Sequence, residues 1–342
     1  MEEVRFYEDV TGPRHGVTGL RGETLATLRA AGLNADDVAR VVGAALDEDF
    51  AYGPDVTSAA TVAGRTVTAD VVAREAGVLA GVPVALAVLD LIGWYLDGPA
   101  ASWRLGWAAL VPDGARIGPG DAVLRVSGPA PAVLGAERTM LNFLTHLSGI
   151  ATATRAWADA IEGTGAVVRD TRKTTPGLRV LEKYAVRCGG GRNHRMGLGD
   201  AALIKDNHVA AAGGVAAAVT AVQSATGRSG PALAGPALVG PALAGAHAGL
   251  VVEVECDSVA QVREALEAGA HFLLLDNMPV GALREAVAVA RDYYGVRLEA
   301  SGGLRLENAR EVAETGVDYL SVGALTHSSR ALDLGLDYAD EG

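Results

Sequence analysis

From about Asn142 onward, short β-branched segments alternate with helical ones, and that alternation restricts the possible folds more than any other feature of the sequence. The strand-like segments are Ala166–Arg169, Ala202–Lys205, Val251–Glu255, Phe272–Leu275, Arg297–Ala300 and Tyr319–Val322. Helical patterns at Ser258–Glu267, Val280–Tyr293 and Leu306–Thr315 lie between them. A parallel strand pair needs a crossover, which a helix supplies, so the pattern predicts a parallel α/β array. Each strand ends in a polar or Gly-rich word, such as Asp170-Thr171-Arg172-Lys173, Asp276-Asn277 or Ser301-Gly302-Gly303. In βα barrels the catalytic groups sit at these carboxyl ends. Polar residues also follow strands as turns and caps, and Asp257-Ser258 reads equally well as an N-cap.

The region before about Gly135 is organised differently. Across Arg65–Arg74, Thr66, Thr68 and Asp70 alternate with Val67, Ala69 and Val71, as in a half-exposed strand. Ala122–Val126 resembles a second strand, entered by the turn Gly118-Pro119-Gly120-Asp121. Helical patterns occupy Asp36–Asp49 and Pro83–Ile92, and another runs from about Ala132 to Ile161 into the parallel array. The expected fold is therefore α/β: an α+β N-terminal domain with an antiparallel sheet over 1–141, an α/β catalytic unit over 142–330, and a tail over 331–342. A chain of 342 residues is long enough for two such units. Between a helix at Gly213–Ala225 and the strand at Val251, Gly-Pro-Ala-Leu recurs over Gly230–Gly245. Closely spaced Pro and Gly block both helix and sheet, so this repeat reads as a surface-loop expansion with no assigned function.

The most chemically loaded segment runs from Arg169 to His208. It contains Arg172 and Lys173 beside Thr171, then Cys188-Gly189-Gly190-Gly191-Arg192-Asn193-His194-Arg195, then Lys205-Asp206-Asn207-His208. The chain as a whole carries a net charge of −12, so this concentration of cations stands against the background. Nucleic-acid surfaces spread their cations over a face. Here they are gathered among Gly and Thr, which suits a pocket for small carboxylate or phosphate anions. Three consecutive glycines let the backbone approach a ligand and present N–H donors, although a bare Gly-Gly-Gly can also be only a flexible loop. Asn207 and His208 read as turn and cap residues, and His15, His146, His247 and His271 lack partner spacing. Cys188 and Cys256 have no metal-ligand spacing, which points to a reducing compartment. The acidic start Met1–Val10 lacks the features of a signal peptide, and no apolar run reaches membrane-spanning length. A cytoplasmic protein is expected, with neither nucleic acid nor membrane as partner.

The words DTRKTTPGLRVLEKYAVRCGGGRNHRMGL and IKDNH resemble those of the quinolinate phosphoribosyltransferases. The likeness continues in GAERTMLNFLTHLSGIATAT, VEVEC, LLLDNM, EASGGL and SVGALTHS, in that family's order over nearly the whole chain. It implies an open, incomplete TIM-like barrel. It also implies transfer of a phosphoribosyl group from phosphoribosyl pyrophosphate (PRPP) to quinolinate, giving nicotinate mononucleotide, pyrophosphate and CO2. By motif matching, the resemblance assigns Thr171, Arg172, His194, Arg195 and Lys205 to quinolinate. Arg138 is implied to arrive from a neighbouring subunit, which implies a homodimer with shared sites or a larger homo-oligomer; from sequence alone, Arg138 could equally pair with Glu137 or cap its helix. Lys173, Glu255 and Asp276 are the implied catalytic residues, and the two acids also bind Mg2+ with PRPP, directly or through water. Glu253, on the same strand face as Glu255, ranks behind it. Ser301, Gly302, Gly303, Gly323, Ala324 and His327 are placed around the 5′-phosphate. The alternatives are a related transferase acting on nicotinate or another aromatic acid, and a catalytically silent nucleotide-binding barrel.

Overall fold

A computed structural model describes residues 17–98, 103–225 and 250–339. The repeat at Gly230–Gly245 lies outside the described residues. In chain order the first part contains α1 (Gly22–Ala30), α2 (Ala35–Asp49), α3 (Val56–Thr61), β1 (Thr66–Ala73), β2 (Gly77–Val78), α4 (Val82–Asp97), β3 (Gly106–Ala109), β4 (Arg116–Ile117), β5 (Ala122–Pro129) and α5 (Ala130–Ala160). The second part contains β6 (Val167–Arg169), α6 (Arg179–Cys188), β7 (Ala201–Ile204), α7 (Asp206–Ala212), α8 (Val215–Ala225), β8 (Val251–Cys256), α9 (Val259–Glu267) and β9 (Phe272–Asp276). It continues through α10 (Val280–Ala290), β10 (Arg297–Ser301), α11 (Ala309–Ala313), β11 (Tyr319–Ser321) and α12 (Ala324–His327) to β12 (Leu334–Tyr338).

The N-terminal sheet is antiparallel, in the order β12-β1-β5-β3. Its β1 strand buries Ala69, Val71 and Ala73 and turns Thr66, Thr68 and Asp70 outward, as the period-two pattern requires. On the outer face Asp70 sits directly opposite Arg125 of β5, and two 2.7 Å hydrogen bonds join carboxylate to guanidinium. The sheet packs on the long α5, and α4, a helix buried nearly all round, packs on α5 in turn. With 31 residues, α5 also reaches the second sheet, so the boundary expected at 141/142 falls inside one continuous helix. Within 331–342, expected as a tail, Leu334–Tyr338 instead supply an edge strand: β12 pairs antiparallel with β1, from Ala69↔Tyr338 to Ala73↔Leu334.

The second sheet has six parallel strands in the order β6-β11-β10-β9-β8-β7, and no closed barrel forms among the described residues. Its two faces are chemically opposite. One carries Val168, Leu320, Leu298, Ala300, Leu273, Leu275, Val254 and Ile204, all buried beneath the helices. The other is polar, and its register sets the levels of the site. Arg169, Ser321, Ser301 and Asp276 are aligned across four strands at the carboxyl ends. One level below come Tyr319, Glu299, Leu274 and Glu255, and below them Arg297, Phe272, Glu253 and Leu203. Among the described residues, no single helix is long and apolar enough to cross a membrane.

Because Leu334 is 5% exposed within β12, Leu334→Ala should destabilise the protein by about 2–5 kcal/mol, read as a lower urea midpoint and melting temperature. An unchanged melting curve would mean that this segment is an unattached tail.

Candidate active site

Residue Lys183 of α6 forms the base of the cation-rich loop. It is fully buried, and its ammonium bonds the equally buried Asp170 carboxylate and, at 2.9 Å, the carbonyl of His194. Asp170 follows β6 directly and also accepts from the His194 N–H at 2.8 Å and from Asn193 Nδ2 at 2.6 Å. Burial drives the Asp170 carboxyl up and the Lys183 ammonium down, while the donors gathered on Asp170 oppose that drift.

Above this pair lie two guanidinium groups whose needs are unmet. The Nε atoms of Arg172 and Arg195 are both buried without a hydrogen-bond partner. Burial first, and then the charge of the nearby Arg172, holds Arg195 below its ordinary value. Arg195 is steadied by one bond, from Nη1 to the Ala201 carbonyl at 3.1 Å. A buried donor left unpaired costs about 1–3 kcal/mol, and a charged one more, so two together describe a site that an anion would complete.

The remaining expected residues gather at the same end of the sheet, with one exception. Lys205 donates to Glu255 at 2.9 Å, so an expected quinolinate ligand and an expected metal ligand are paired with each other. Asp276 accepts from Asn277 Nδ2 at 2.7 Å, and the Asn277 N–H binds the Ser301 carbonyl at 2.8 Å, which links the β9 and β10 endings. Gly302, at φ 81°, lies so close to the Asn277 side chain that a Cβ there would be 2.2 Å from Oδ1. Lys173 is held by its own backbone: its N–H donates to Thr171 Oγ1 at 3.0 Å and its carbonyl accepts from Thr326 Oγ1 at 2.8 Å. A Cβ on Gly323 would lie 3.1 Å from Lys173 Cδ and 3.2 Å from His327 Nε2, so these three residues, with the adjoining Ala324, form one corner. The exception is Arg138. It lies exposed on α5, beside Thr139, whose hydroxyl bonds Asp49 of α2, and no described contact joins it to the basic cluster of its own chain.

His194 departs from the donor role expected of it. Its ring is buried, Nδ1 accepts from the Arg195 N–H at 2.7 Å, and Nε2 lies 3.1 Å from Glu253 and 3.5 Å from Glu299. Both ring nitrogens are thus engaged inside the protein. Burial pulls its pKa down to about 4 and pushes that of Glu253 up to about 7. Glu299 is bonded by Arg169 and Ser321, and the Arg169 guanidinium lies over the rings of Tyr319 and Phe272 at 4.9 and 5.2 Å. Among the described residues, His194, Glu253 and Glu299 have their ligand atoms within 4.8 Å of one another, and Arg169 already neutralises Glu299 there.

The glycine triplet also differs from expectation. Its N–H groups end α6 and do not face the basic cluster: Gly189, Gly190 and Gly191 donate to the carbonyls of Ala185, Arg187 and Val186. A Cβ at Gly189 would lie 2.5 Å from the Ala151 carbonyl, and one at Gly191 2.8 Å from Thr154, so the absent side chains let the loop close on α5. Asp170, Lys183 and Glu299 escaped the reading from sequence. The signals were a charged residue between Leu181 and Ala185 on the buried side of α6, and Glu299 two positions before Ser301 on the same strand face.

Models of the N- and C-terminal domains of quinolinate phosphoribosyl transferase match residues 55–148 and residues 150–231 with 242–337. The interval skipped between 231 and 242 falls in the Gly-Pro-Ala-Leu repeat. The nicotinate-nucleotide pyrophosphorylase (carboxylating) of Mycobacterium leprae is 52% identical over 305 residues, covering 88% of this chain and 97% of that protein. Quinolinate phosphoribosyltransferase (decarboxylating) 1b of Nicotiana tabacum is 37% identical over 316 residues, covering 88% and 82%. The solved structure of the nicotinate-nucleotide pyrophosphorylase from Francisella tularensis superposes with a TM-score of 0.76 at 36% identity, covering 89% of this chain and 96% of that one. The chain belongs to the quinolinate phosphoribosyltransferase family.

Proposed function

We propose that the basic cluster is where this enzyme binds quinolinate and joins it to PRPP, yielding nicotinate mononucleotide, pyrophosphate and CO2. The observation that carries this reading is the pair of buried, unpartnered Nε donors on Arg172 and Arg195. An aromatic acid with two adjacent carboxylates satisfies both, and planar guanidinium forks suit carboxylates. Lys205 joins them once it leaves Glu255, and Thr171 lies alongside. His194 acts through its position, with a neutral ring. Nicotinate, with a single carboxylate, leaves part of this cationic site unmatched.

The PRPP half of the site is built from the neighbouring strand ends. Ser301, Gly302 and Gly303 after β10 and Gly323, Ala324 and His327 after β11 surround the 5′-phosphate, where barrels commonly hold such groups. Glu255 and Asp276 suit the ribose hydroxyls and Mg2+, because each keeps a carboxylate oxygen beyond the one bonded to Lys205 or Asn277. Mg2+ bound with the pyrophosphate would neutralise charge on that leaving group. Lys173, in the corner with Gly323 and His327, lies between the two halves. The protein's work is to align the quinolinate nitrogen with the ribose carbon and to exclude alternatives. Once the nitrogen carries positive charge, the ring itself accepts the electrons left by CO2, and no lysine adduct is required. The enzyme is read as cytoplasmic, and Cys188 and Cys256 are free thiols whose pKa values burial raises to about 12, which makes them poor nucleophiles.

Arg138 completes the reading as a residue given to the partner's site in a homodimer, consistent with its exposure and its lack of contact with its own cluster.

Steady-state kinetics with PRPP, Mg2+ and either acid test the reading, with quinolinate expected to be used far better than nicotinate. Arg172→Ala or Arg195→Ala should raise the KM for quinolinate by the equivalent of about 2–5 kcal/mol, while Lys173→Ala lowers kcat. Equal turnover of nicotinate, or normal kinetics in all three variants, would move the substrate elsewhere. Subunit sharing has its own test. Arg138→Ala and Lys173→Ala homodimers should each be nearly inactive, and mixed dimers of the two should regain up to about half of wild-type activity. Heterodimers as inactive as their parents would place Arg138 in its own chain's site.

A further inference from the structure

Among the described residues, the largest side chain sealed completely from solvent is Lys183. A catalytic role does not suit it, because its ammonium is spent on Asp170 and the His194 carbonyl, beneath the site. A purely structural ion pair does not explain its geometry either. Apolar residues fill such space at least as well, and a buried pair by itself adds little stability. What distinguishes Asp170 and Lys183 is where their remaining bonds go. Asp170 takes the His194 N–H at 2.8 Å and Lys183 donates to the His194 carbonyl at 2.9 Å, so the backbone is held on both sides of one residue. Asn193 reinforces the grip, with its Nδ2 bonded to Asp170 at 2.6 Å and to the Lys183 carbonyl at 2.8 Å.

Arg195 follows that clamped residue, and its N–H is set on the His194 ring at 2.7 Å. Asp170, in turn, stands two positions before Arg172 at the end of β6, and its own N–H is fixed to the Arg192 carbonyl at 3.1 Å. One carboxylate therefore ties together the two segments that carry the unpartnered guanidinium groups. We propose that Asp170 and Lys183 are positioning residues that set the separation of Arg172 and Arg195, and through it the preference for an aromatic acid with two carboxylates. This rests on the dicarboxylate reading of the site and adds to it the origin of the spacing.

The test uses full-length Lys183→Met, the double variant Asp170→Asn/Lys183→Met, which leaves no unpaired buried charge, and Asn193→Ala, which removes the amide links to Asp170 and Lys183 and an exposed 3.3 Å bond from Arg187. Calorimetry measures quinolinate binding without PRPP. Kinetics give the KM for each substrate and the ratio of kcat/KM for quinolinate to that for nicotinate, a ratio that does not depend on the fraction of folded enzyme. In the double variant, quinolinate binding should weaken on the order of 10²-fold, as expected when one charge-assisted contact to a carboxylate is lost. Its PRPP KM should stay near the wild-type value and its quinolinate selectivity should fall. Asn193→Ala should show the same changes in smaller measure, and it decides the matter if the lysine variants do not fold. Variants that lower the melting temperature but keep wild-type quinolinate affinity and selectivity would overturn the positioning role. Wild-type enzyme that fails to bind quinolinate would remove the dicarboxylate reading, and this proposal with it.

Discussion

Asp170 and Lys183 form an ion pair with no access to water, and the shape of the basic site depends on it. Removing one member of such a pair strands the other charge in a medium that solvates it poorly, at a cost of about 3–5 kcal/mol. Here the pair is further constrained, because its spare hydrogen-bonding capacity is used on the backbone of His194 and on Asn193. The helix that carries Lys183 is anchored on its other faces too. Tyr184 donates to Asp113 at 2.7 Å, Asp113 in turn receives the N–H groups that begin α4, and Arg187 reaches the Ala31 carbonyl at 2.8 Å. Through α6, the N-terminal sheet and its helices fix the floor of a site built on the other sheet.

The parallel sheet supplies the rest by dividing its labour between two faces. Period-two alternation sends Val254 and Leu275 to the helices and Glu253, Glu255 and Asp276 to the opposite side. Burying that polar face is possible because each deep charge has a partner: Arg169 for Glu299, and the neutral His194 ring for Glu253. Towards the carboxyl ends the pairing becomes incomplete. Arg172 and Arg195 keep unmatched donors, and Lys205, half open to solvent, is paired with Glu255. The deep acids each have at least one partner within the protein, whereas the Nε donors of Arg172 and Arg195 at the strand ends are proposed to await the ligand.

Much of this was legible in the chain and some was not. The strands of the parallel sheet were visible to within a residue or two because β-branched runs bounded by polar words are local signals, and the same holds for β1 and α5. The expected 5′-phosphate and acid residues fall together because strand ends are adjacent in any parallel sheet. The β12 strand could not be found that way: Leu334–Tyr338 becomes a strand by pairing with β1, almost the whole chain away. The glycine triplet misled for a related reason, since what Gly189 and Gly191 approach is α5, a neighbour fixed only by tertiary packing. His194 looked like a ligand donor because its buried acid partners, Glu253 and Glu299, come from distant strands.

The decisive measurement is a structure of the enzyme with quinolinate bound. The two carboxylates are expected within hydrogen-bonding distance of the Nε atoms of Arg172 and Arg195, with the Asp170–Lys183–His194 contacts unchanged beneath them. Quinolinate seated elsewhere, with both Nε groups still unpartnered, would contradict the dicarboxylate reading of the site.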